Sequence, residues 1–162
     1  AVKTALRMRA TLYLYNKARA AEHKPPVRIG CGINTGPVIA GQIGSKSRME
    51  YTCIGDAVNF ASRTESLNKP LHTDILITED TYNLVRDAVL VEEMPTVTVK
   101  GKEKPQHMYA VINIPGATDV PGAGVRGPRT IAQVRAIIGT TAPDLTGVDL
   151  DEDEKKYKIQ GK

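Results

Sequence analysis

Two stretches in the first half of the chain decide its fold. The first, over residues 32–44, reads GINTGPVIAGQIG, and the second, over residues 51–63, reads YTCIGDAVNFASR. From Val27 to Asn34, apolar residues alternate with small or polar ones, which is the period of a β-strand. Two further strands are predicted, from Val38 to Ile43 and from Met49 to Cys53. Their order along the chain predicts an antiparallel meander.

The second stretch runs into a helix that carries candidate site residues. Gly55 breaks the third strand, and Asp56 can cap the free amides of a helix from Ala57 to Leu67. Asn59 and Arg63 are four residues apart, so both side chains leave the same face of this helix. An amide can orient a hydroxyl or a ring oxygen, and a guanidinium matches phosphate oxygens. The pair predicts a site for a phosphorylated sugar, although two residues alone also fit an ordinary surface pair.

The flanking segments complete an α+β pattern. Residues 1–24 carry apolar side chains at intervals of three and four, which predicts an amphipathic helix that Pro25 and Pro26 end. The residues of the predicted apolar face are Ala5, Met8, Leu12 and Tyr15. Downstream, the pattern predicts a strand at Ile75–Ile77, a helix at Thr78–Val85, a strand at Val89–Val99 interrupted by Pro95, and a strand at His107–Ile114.

The composition changes after Pro115. Glycines and prolines interrupt the next dozen residues, which predicts a linker. Beyond it, Thr130 can cap a short helix over residues 130–138, which Gly139 ends. The apolar side chains of this helix lie on one face: Ile131, Val134 and Ile138. We predict one domain over residues 1–115, followed by a linker and tail over residues 116–162.

Length and charge exclude several classes of protein. The chain has 162 residues, 22 Lys and Arg against 18 Asp and Glu, and a net charge of +4. The basic residues are scattered and aromatic residues are only 4% of the chain, so no nucleic-acid-binding face is predicted. A phosphorylated small molecule suits this charge equally well. No apolar run approaches the roughly 20 residues of a membrane-spanning helix, and no signal peptide opens the chain.

Cysteine usage bears on the cellular compartment. Cys31 and Cys53 have neither metal-binding nor redox spacing. Reduced thiols in the cytoplasm are therefore expected.

Taken together, the two quoted stretches resemble the class III nucleotide cyclases, the adenylate and guanylate cyclase catalytic domain. The resemblance runs from the first helix to about Ile114, and two long motifs in a fixed order make it specific. It implies a ferredoxin-like α+β sheet with helices on one side.

The resemblance also implies roles for individual residues. Asn59 and Arg63 match the residues that steady the ribose and the α-phosphate in the transition state. Thr52, seven residues before Asn59, matches a position that helps to read the purine. Threonine there is similar to a bacterial and soluble adenylate cyclase subgroup. Lys100 matches the lysine that binds the β- and γ-phosphates, with Lys102 as the second candidate.

The chain also departs from the family pattern. Family members hold two Mg²⁺ or Mn²⁺ ions with two aspartates, one of them in a Phe-x-Asp-Ile-x-Gly-Phe motif, and both are expected upstream of Ala1. We therefore predict no metal ligands in this chain, which resembles the C-terminal portion of an N-terminally truncated cyclase domain and should be inactive alone. The strand from Val27 to Asn34 would present an unpaired edge. A homodimer or a companion cyclase segment is expected to cover it.

Three functions remain open at this point. The leading one is an adenylate cyclase whose parent protein converts ATP to cyclic AMP and pyrophosphate at a site shared by two protomers, in the cytoplasm or anchored to a membrane. The second is a catalytically silent cyclase-like module for dimerisation or regulation, which has no need for both Asn59 and Arg63. The third is a guanylate cyclase, which Thr52 disfavours.

Overall fold

The structure is a computed structural model that describes residues 1–45, 48–99, 105–115, 127–145 and 157–159. Its helices are α1 (Val2–Ala21), α2 (Asp56–Ser66), α3 (Asn68–Leu71), α4 (Glu79–Val85) and α5 (Ile131–Ile138), with a 3-10 turn at Arg86–Ala88. Its strands are β1 (Cys31–Ile33), β2 (Ile39–Ser45), β3 (Arg48–Ile54), β4 (Ile75–Thr78), β5 (Leu90–Glu93), β6 (Val97–Val99), β7 (Met108–Asn113) and β8 (Tyr157–Ile159). The α+β class expected from the sequence is confirmed.

The main sheet has four strands in the order β1-β4-β7-β5. β1 runs parallel to β4, with Cys31 opposite Ile75, and the other neighbours are antiparallel. β2 and β3 form a separate antiparallel hairpin, and β6 pairs with β8. The predicted meander is therefore wrong at its first strand, because β1 pairs with a strand about 45 residues later. A parallel pair requires a crossover connection, and this one includes α2 and α3.

β1 lies at one end of this sheet. Among the described strands it pairs only with β4, so its other edge has no strand beside it. The regular strand is shorter than expected, because only Cys31–Ile33 of the predicted Val27–Asn34 segment form ladder bonds.

Helices cover both faces of the sheet, which corrects the expectation of helices on one side. Alternate strand residues point to opposite faces, so Leu76 and Ile77 enter different clusters. One cluster joins the sheet to α2, α3 and α5, and contains Phe60, Leu67, Leu71, Leu76, Met94, Val97, Met108, Ala110, Ile112, Ile131 and Val134. The other joins it to α1 and to α4, and contains Val2, Ala5, Ile75, Ile77, Val89 and Val111, with Tyr82 and Val85 packed against it.

Helix α1 confirms the predicted helix, but its predicted apolar face is buried only in part. Ala5 is buried as expected, whereas Met8 is 46% exposed and Tyr15 is 51% exposed, and the charged Arg9 is buried instead. Arg9 is held inside because its guanidinium donates to both carboxylate oxygens of Asp74, at 2.6 Å each. It also donates to the carbonyl oxygens of Val111 and Ile112. The buried side of α1 thus includes a hydrogen-bonded arginine that the apolar pattern does not predict.

The short helix after the predicted linker is confirmed. α5 begins at Ile131, and the Thr130 side chain accepts a hydrogen bond from the Gln133 amide. It ends at Gly139, whose φ of 71° is the left-handed conformation that glycine adopts readily. The proposed boundary between residues 1–115 and 116–162 stays a prediction.

Candidate active site

Helix α2 presents both of the residues predicted to act on a nucleotide. Asn59 is exposed and Arg63 is half-buried, one helical turn apart. Gly55, with a φ of 143°, lets the chain turn from β3 into this helix, and its carbonyl oxygen accepts from the amides of Val58 and Asn59. The predicted cap is corrected: Gly55 is the N-cap, and Asp56 is the first helical residue, without a side-chain capping bond. The negative charge of Asp56 still interacts favourably with the positive N-terminal end of the helix.

Glycines in and beside β1 let α2 lie directly on the sheet. A Cβ atom on Gly32 would overlap the Glu65 amide nitrogen and the Ala61 carbonyl oxygen, which are backbone atoms of α2. A Cβ atom on Gly36 would lie 2.8 Å from the Cβ of Ala57. The small residues of the first quoted stretch therefore fix how close Asn59 and Arg63 come to the sheet.

Asn34 ties the start of α2 to the sheet. Its amide nitrogen donates to the Ala57 carbonyl oxygen at 3.0 Å, and its oxygen accepts from the Thr78 hydroxyl at 2.7 Å. The neighbouring Thr35 hydroxyl lies 3.0 Å from that of Thr81, which also donates to the Ile33 carbonyl oxygen. Sequence reasoning missed this polar network, although Asn34 and Thr35 lie within the quoted motif.

Thr52 lies on β3, the strand that leads into α2. It is exposed and stands directly opposite Gly41 of β2. Residues opposite each other in an antiparallel pair share a face, so Gly41 leaves room beside the Thr52 hydroxyl. No atom lies within 4 Å of the place where a Gly41 Cβ would stand. Thr52, Asn59 and Arg63 thus come from one continuous strand-turn-helix unit.

The two predicted phosphate-binding lysines lie outside the described residues. Both belong to residues 100–104, which follow β6.

No metal-binding cluster is formed by the described residues. No three His, Cys, Asp or Glu side chains in that part of the chain come close enough to hold an ion. The most buried carboxylate, Asp74, is fully engaged by Arg9 and does not offer a free ligand. The carboxylates, histidines and cysteines in the described ranges therefore do not fit a two-metal centre.

Both cysteines are free thiols. Cys53 is exposed on β3, whereas Cys31 is half-buried on β1. Burial raises the pKa of the Cys31 thiol, and the nearby carboxylates of Asp74 and Glu65 raise it further.

A cleft of about 760 Å³ lies between α1, the segment before β1, the C-terminal end of α2, α3 and α5. Its walls include Arg9, Tyr13, Arg28, His72 and Ile138, and none of Thr52, Asn59 or Arg63. Glu65 and Ser66, at the C-terminal end of α2, also line the cleft, which therefore lies beside the end of α2 and away from Asn59.

Comparison with known proteins places these features in a family. Residues 1–113 match the family described as the adenylate and guanylate cyclase catalytic domain. Adenylate cyclase 1 of Rhizobium meliloti is 33% identical over 124 residues, which are 76% of this chain and 19% of that protein. The chain thus spans about a fifth of the length of this relative.

Solved structures of cyclases are also similar to this chain. The adenylyl cyclase CyaB from P. aeruginosa is 33% identical, with a TM-score of 0.62 over 70% of this chain and 57% of that chain. A guanylyl cyclase is 29% identical, with a TM-score of 0.59 over 77% of this chain and 59% of that chain. None of the helices in the described ranges has the length and apolar character needed to span a membrane.

Proposed function

The chain belongs to the adenylate and guanylate cyclase catalytic domain family, and from that premise we propose that the whole protein converts ATP to 3′,5′-cyclic AMP and pyrophosphate. The observation that carries this proposal is the strand-turn-helix unit, which joins Thr52 to Asn59 and Arg63 on one face of α2. The relative and the solved structure named above as adenylate cyclases support the choice of ATP.

In the proposed reaction, the ribose 3′-oxygen attacks the α-phosphorus in line with the leaving group. The new O3′–P bond forms as the bond from the α-phosphorus to the bridging oxygen breaks, the hydroxyl proton passes to solvent water, and pyrophosphate leaves with the electron pair of the broken bond. Asn59 would hydrogen bond to the ribose and hold the 3′-hydroxyl in line. Arg63 would donate to the α-phosphate oxygens, on which negative charge develops in the transition state.

Thr52 is proposed to read the base. Its hydroxyl can accept a hydrogen bond from the adenine amino group, which guanine lacks at that position. The open space beside Gly41 supports this role, because a planar base needs room next to the hydroxyl. Lys100, with Lys102 as the second candidate, is proposed to bind the β- and γ-phosphates.

The family is in general metal-dependent, and we propose that two Mg²⁺ or Mn²⁺ ions serve the whole protein. The described residues do not fit such a centre, and, as the family resemblance implies, we propose that its two aspartates lie upstream of Ala1. When bound, such ions neutralise phosphate charge and favour ionisation of the 3′-hydroxyl.

The active unit is proposed to be a homodimer or a complex with a companion cyclase segment. The β2–β3 hairpin supports this, because it exposes apolar side chains that a monomer would leave in water. Ile39 is 69% exposed, Tyr51 is 76% exposed and Met49 is 51% exposed. ATP as substrate and two free thiols suit the cytoplasm, where we propose that the domain works.

An assay of the whole purified protein tests this proposal. With Mn²⁺ and either ATP or GTP, we expect cyclic AMP from ATP and little cyclic GMP from GTP. The 162-residue chain alone should stay at background. Cyclic GMP as the main product would indicate a guanylate cyclase, and no product from the whole protein would indicate a silent module.

A further inference from the structure

Helix α5 lies beyond residues 1–113, the part of the chain that matches the family, yet it is part of the same core. Val134 is completely buried and Ile131 is 6% exposed. Both belong to the cluster that contains Phe60 of α2 and Leu71 of α3. Because Phe60 is adjacent to Asn59, displacement of α5 would disturb the packing beneath a proposed catalytic residue.

Polar contacts fix α5 to the end of α3. The Arg135 guanidinium donates to the carbonyl oxygens of Leu71 and His72, at 3.1 Å and 3.2 Å. The last carbonyl groups of a helix lack partners within the helix and carry partial negative charge, so a cation there is favourable. His72 itself adopts the left-handed conformation, with a φ of 51°, and its imidazole lies 3.1 Å from the Thr140 hydroxyl.

The end of α3 that Arg135 contacts is linked to α2 by a short stretch of chain. α2 ends at Ser66 and α3 begins at Asn68, so only the buried Leu67 separates the two helices. Holding the end of α3 therefore restrains the C-terminal end of α2, on which Arg63 lies. At its other end α2 is held by Asn34, through the carbonyl oxygen of Ala57.

We propose that Arg135 is a positioning residue: it holds the end of α3 and thereby sets the position of α2, Asn59 and Arg63. Its consequence for catalysis rests on the proposed cyclase function. Arg135 touches no substrate in this role. It acts by limiting how far α2 moves when charge develops at the α-phosphate, since catalytic groups act only in a narrow geometry.

The test compares three variants. Arg135→Met keeps much of the stem but removes both donors, and Arg135→Lys keeps a cation that can reach one carbonyl oxygen. Arg129→Met is the matched control, because Arg129 lies just before the same helix with an exposed side chain. Hydrogen exchange of the amides of residues 60–73 is measured in each, together with kcat and KM for ATP in the whole protein. Circular dichroism is recorded at the assay temperature to show that each variant is folded.

For Arg135→Met, exchange over residues 60–73 should be about tenfold faster or more, as expected when a local restraint is lost. We expect kcat to fall about three- to tenfold with KM within about twofold, because the loss appears in the transition state. Arg135→Lys should recover at least half of kcat, and Arg129→Met should change neither quantity.

Unchanged exchange over residues 60–73 in a folded Arg135→Met protein would overturn the proposal. Faster exchange with unchanged kcat would also overturn it, since Arg135 would then serve stability alone. If Arg135→Met does not fold, Arg135→Lys decides the question. Its exchange over residues 60–73 should then be faster than in the wild type, and its kcat should be lower. A wild-type protein that makes no cyclic nucleotide would refute the proposed function only, because the exchange measurement still decides whether Arg135 holds α2.

Discussion

Arg9 and Asp74 form a doubly hydrogen-bonded ion pair that joins α1 to the start of β4 across 65 residues of sequence. Both side chains are about 5% exposed. The Asp74 carbonyl oxygen also accepts from the Cys31 amide at 2.7 Å, so the pair stands where β1, β4 and α1 meet. This contact fixes the first helix against the sheet that supports α2.

The first prediction concerns this pair. Arg9→Met leaves the Asp74 carboxylate buried without its cation, and breaking a buried pair in this way costs about 3–5 kcal/mol of stability. Urea denaturation at neutral pH should show that loss, whereas Arg7→Met, on the exposed face of α1, should change the free energy of unfolding little. Removing both charges together, in Arg9→Met with Asp74→Leu, should recover part of it. A loss below about 1 kcal/mol for Arg9→Met would contradict the burial of the pair.

The second prediction concerns the close packing of α2 against β1. Gly32→Ala places a methyl group against backbone atoms of α2, and backbone cannot move aside as a flexible side chain can. Overpacking of this kind costs about 1–3 kcal/mol. Gly41→Ala is the matched control, because its methyl group would enter open space. Thermal unfolding should show a lower Tm for Gly32→Ala only. Equal Tm values for the two variants would mean that α2 does not lie as close to β1 as described.

The third prediction concerns the base. Thr52→Val removes the hydroxyl and keeps the shape, so a hydrogen bond worth on the order of 1 kcal/mol is lost with little repacking. In the whole protein, kcat/KM for ATP should fall about tenfold relative to that for GTP. Steady-state assays with both nucleotides measure this ratio. An unchanged preference for ATP would remove Thr52 from the base-binding site.

The fourth prediction concerns assembly through the β2–β3 hairpin. We expect the protein to be at least dimeric at micromolar concentration, and Ile39→Asp to weaken association, because a buried charge opposes an apolar contact. Leu84→Asp on α4 is the control, since Leu84 is 70% exposed, close to the 69% of Ile39. Light scattering over a dilution series measures both. A monomer at every concentration, or equal effects of the two substitutions, would place the contact elsewhere.

Local signals allowed the backbone elements that carry the candidate site residues to be predicted from sequence. The turn at Gly55, the helix carrying Asn59 and Arg63, and the cap at Thr130 each depend on residues within a few positions of one another. Such short-range patterns determine local backbone conformation directly. The β2–β3 hairpin follows for the same reason, because its strands are adjacent in sequence.

Contacts between distant residues could not be predicted in this way. An arginine in an amphipathic helix normally faces solvent, and only the fold brings Asp74 to Arg9. The parallel pairing of β1 with β4 depends on a crossover, which no local pattern specifies. The docking of Arg135 on α3 likewise depends on tertiary packing, which is why the tail helix was predicted but its role was not.

The most direct test of the proposed function is the effect of the α2 residues on kcat and KM for ATP in the whole protein. Asn59→Ala and Arg63→Ala should each lower kcat by about a hundredfold or more with little change in KM, the scale expected when a preorganised charge-stabilising group is lost. Ser66→Ala, an exposed position on the same helix, should leave both constants near wild type. A rise in KM with kcat unchanged in the Asn59 and Arg63 variants would contradict the proposal that α2 stabilises the transition state of cyclic AMP formation.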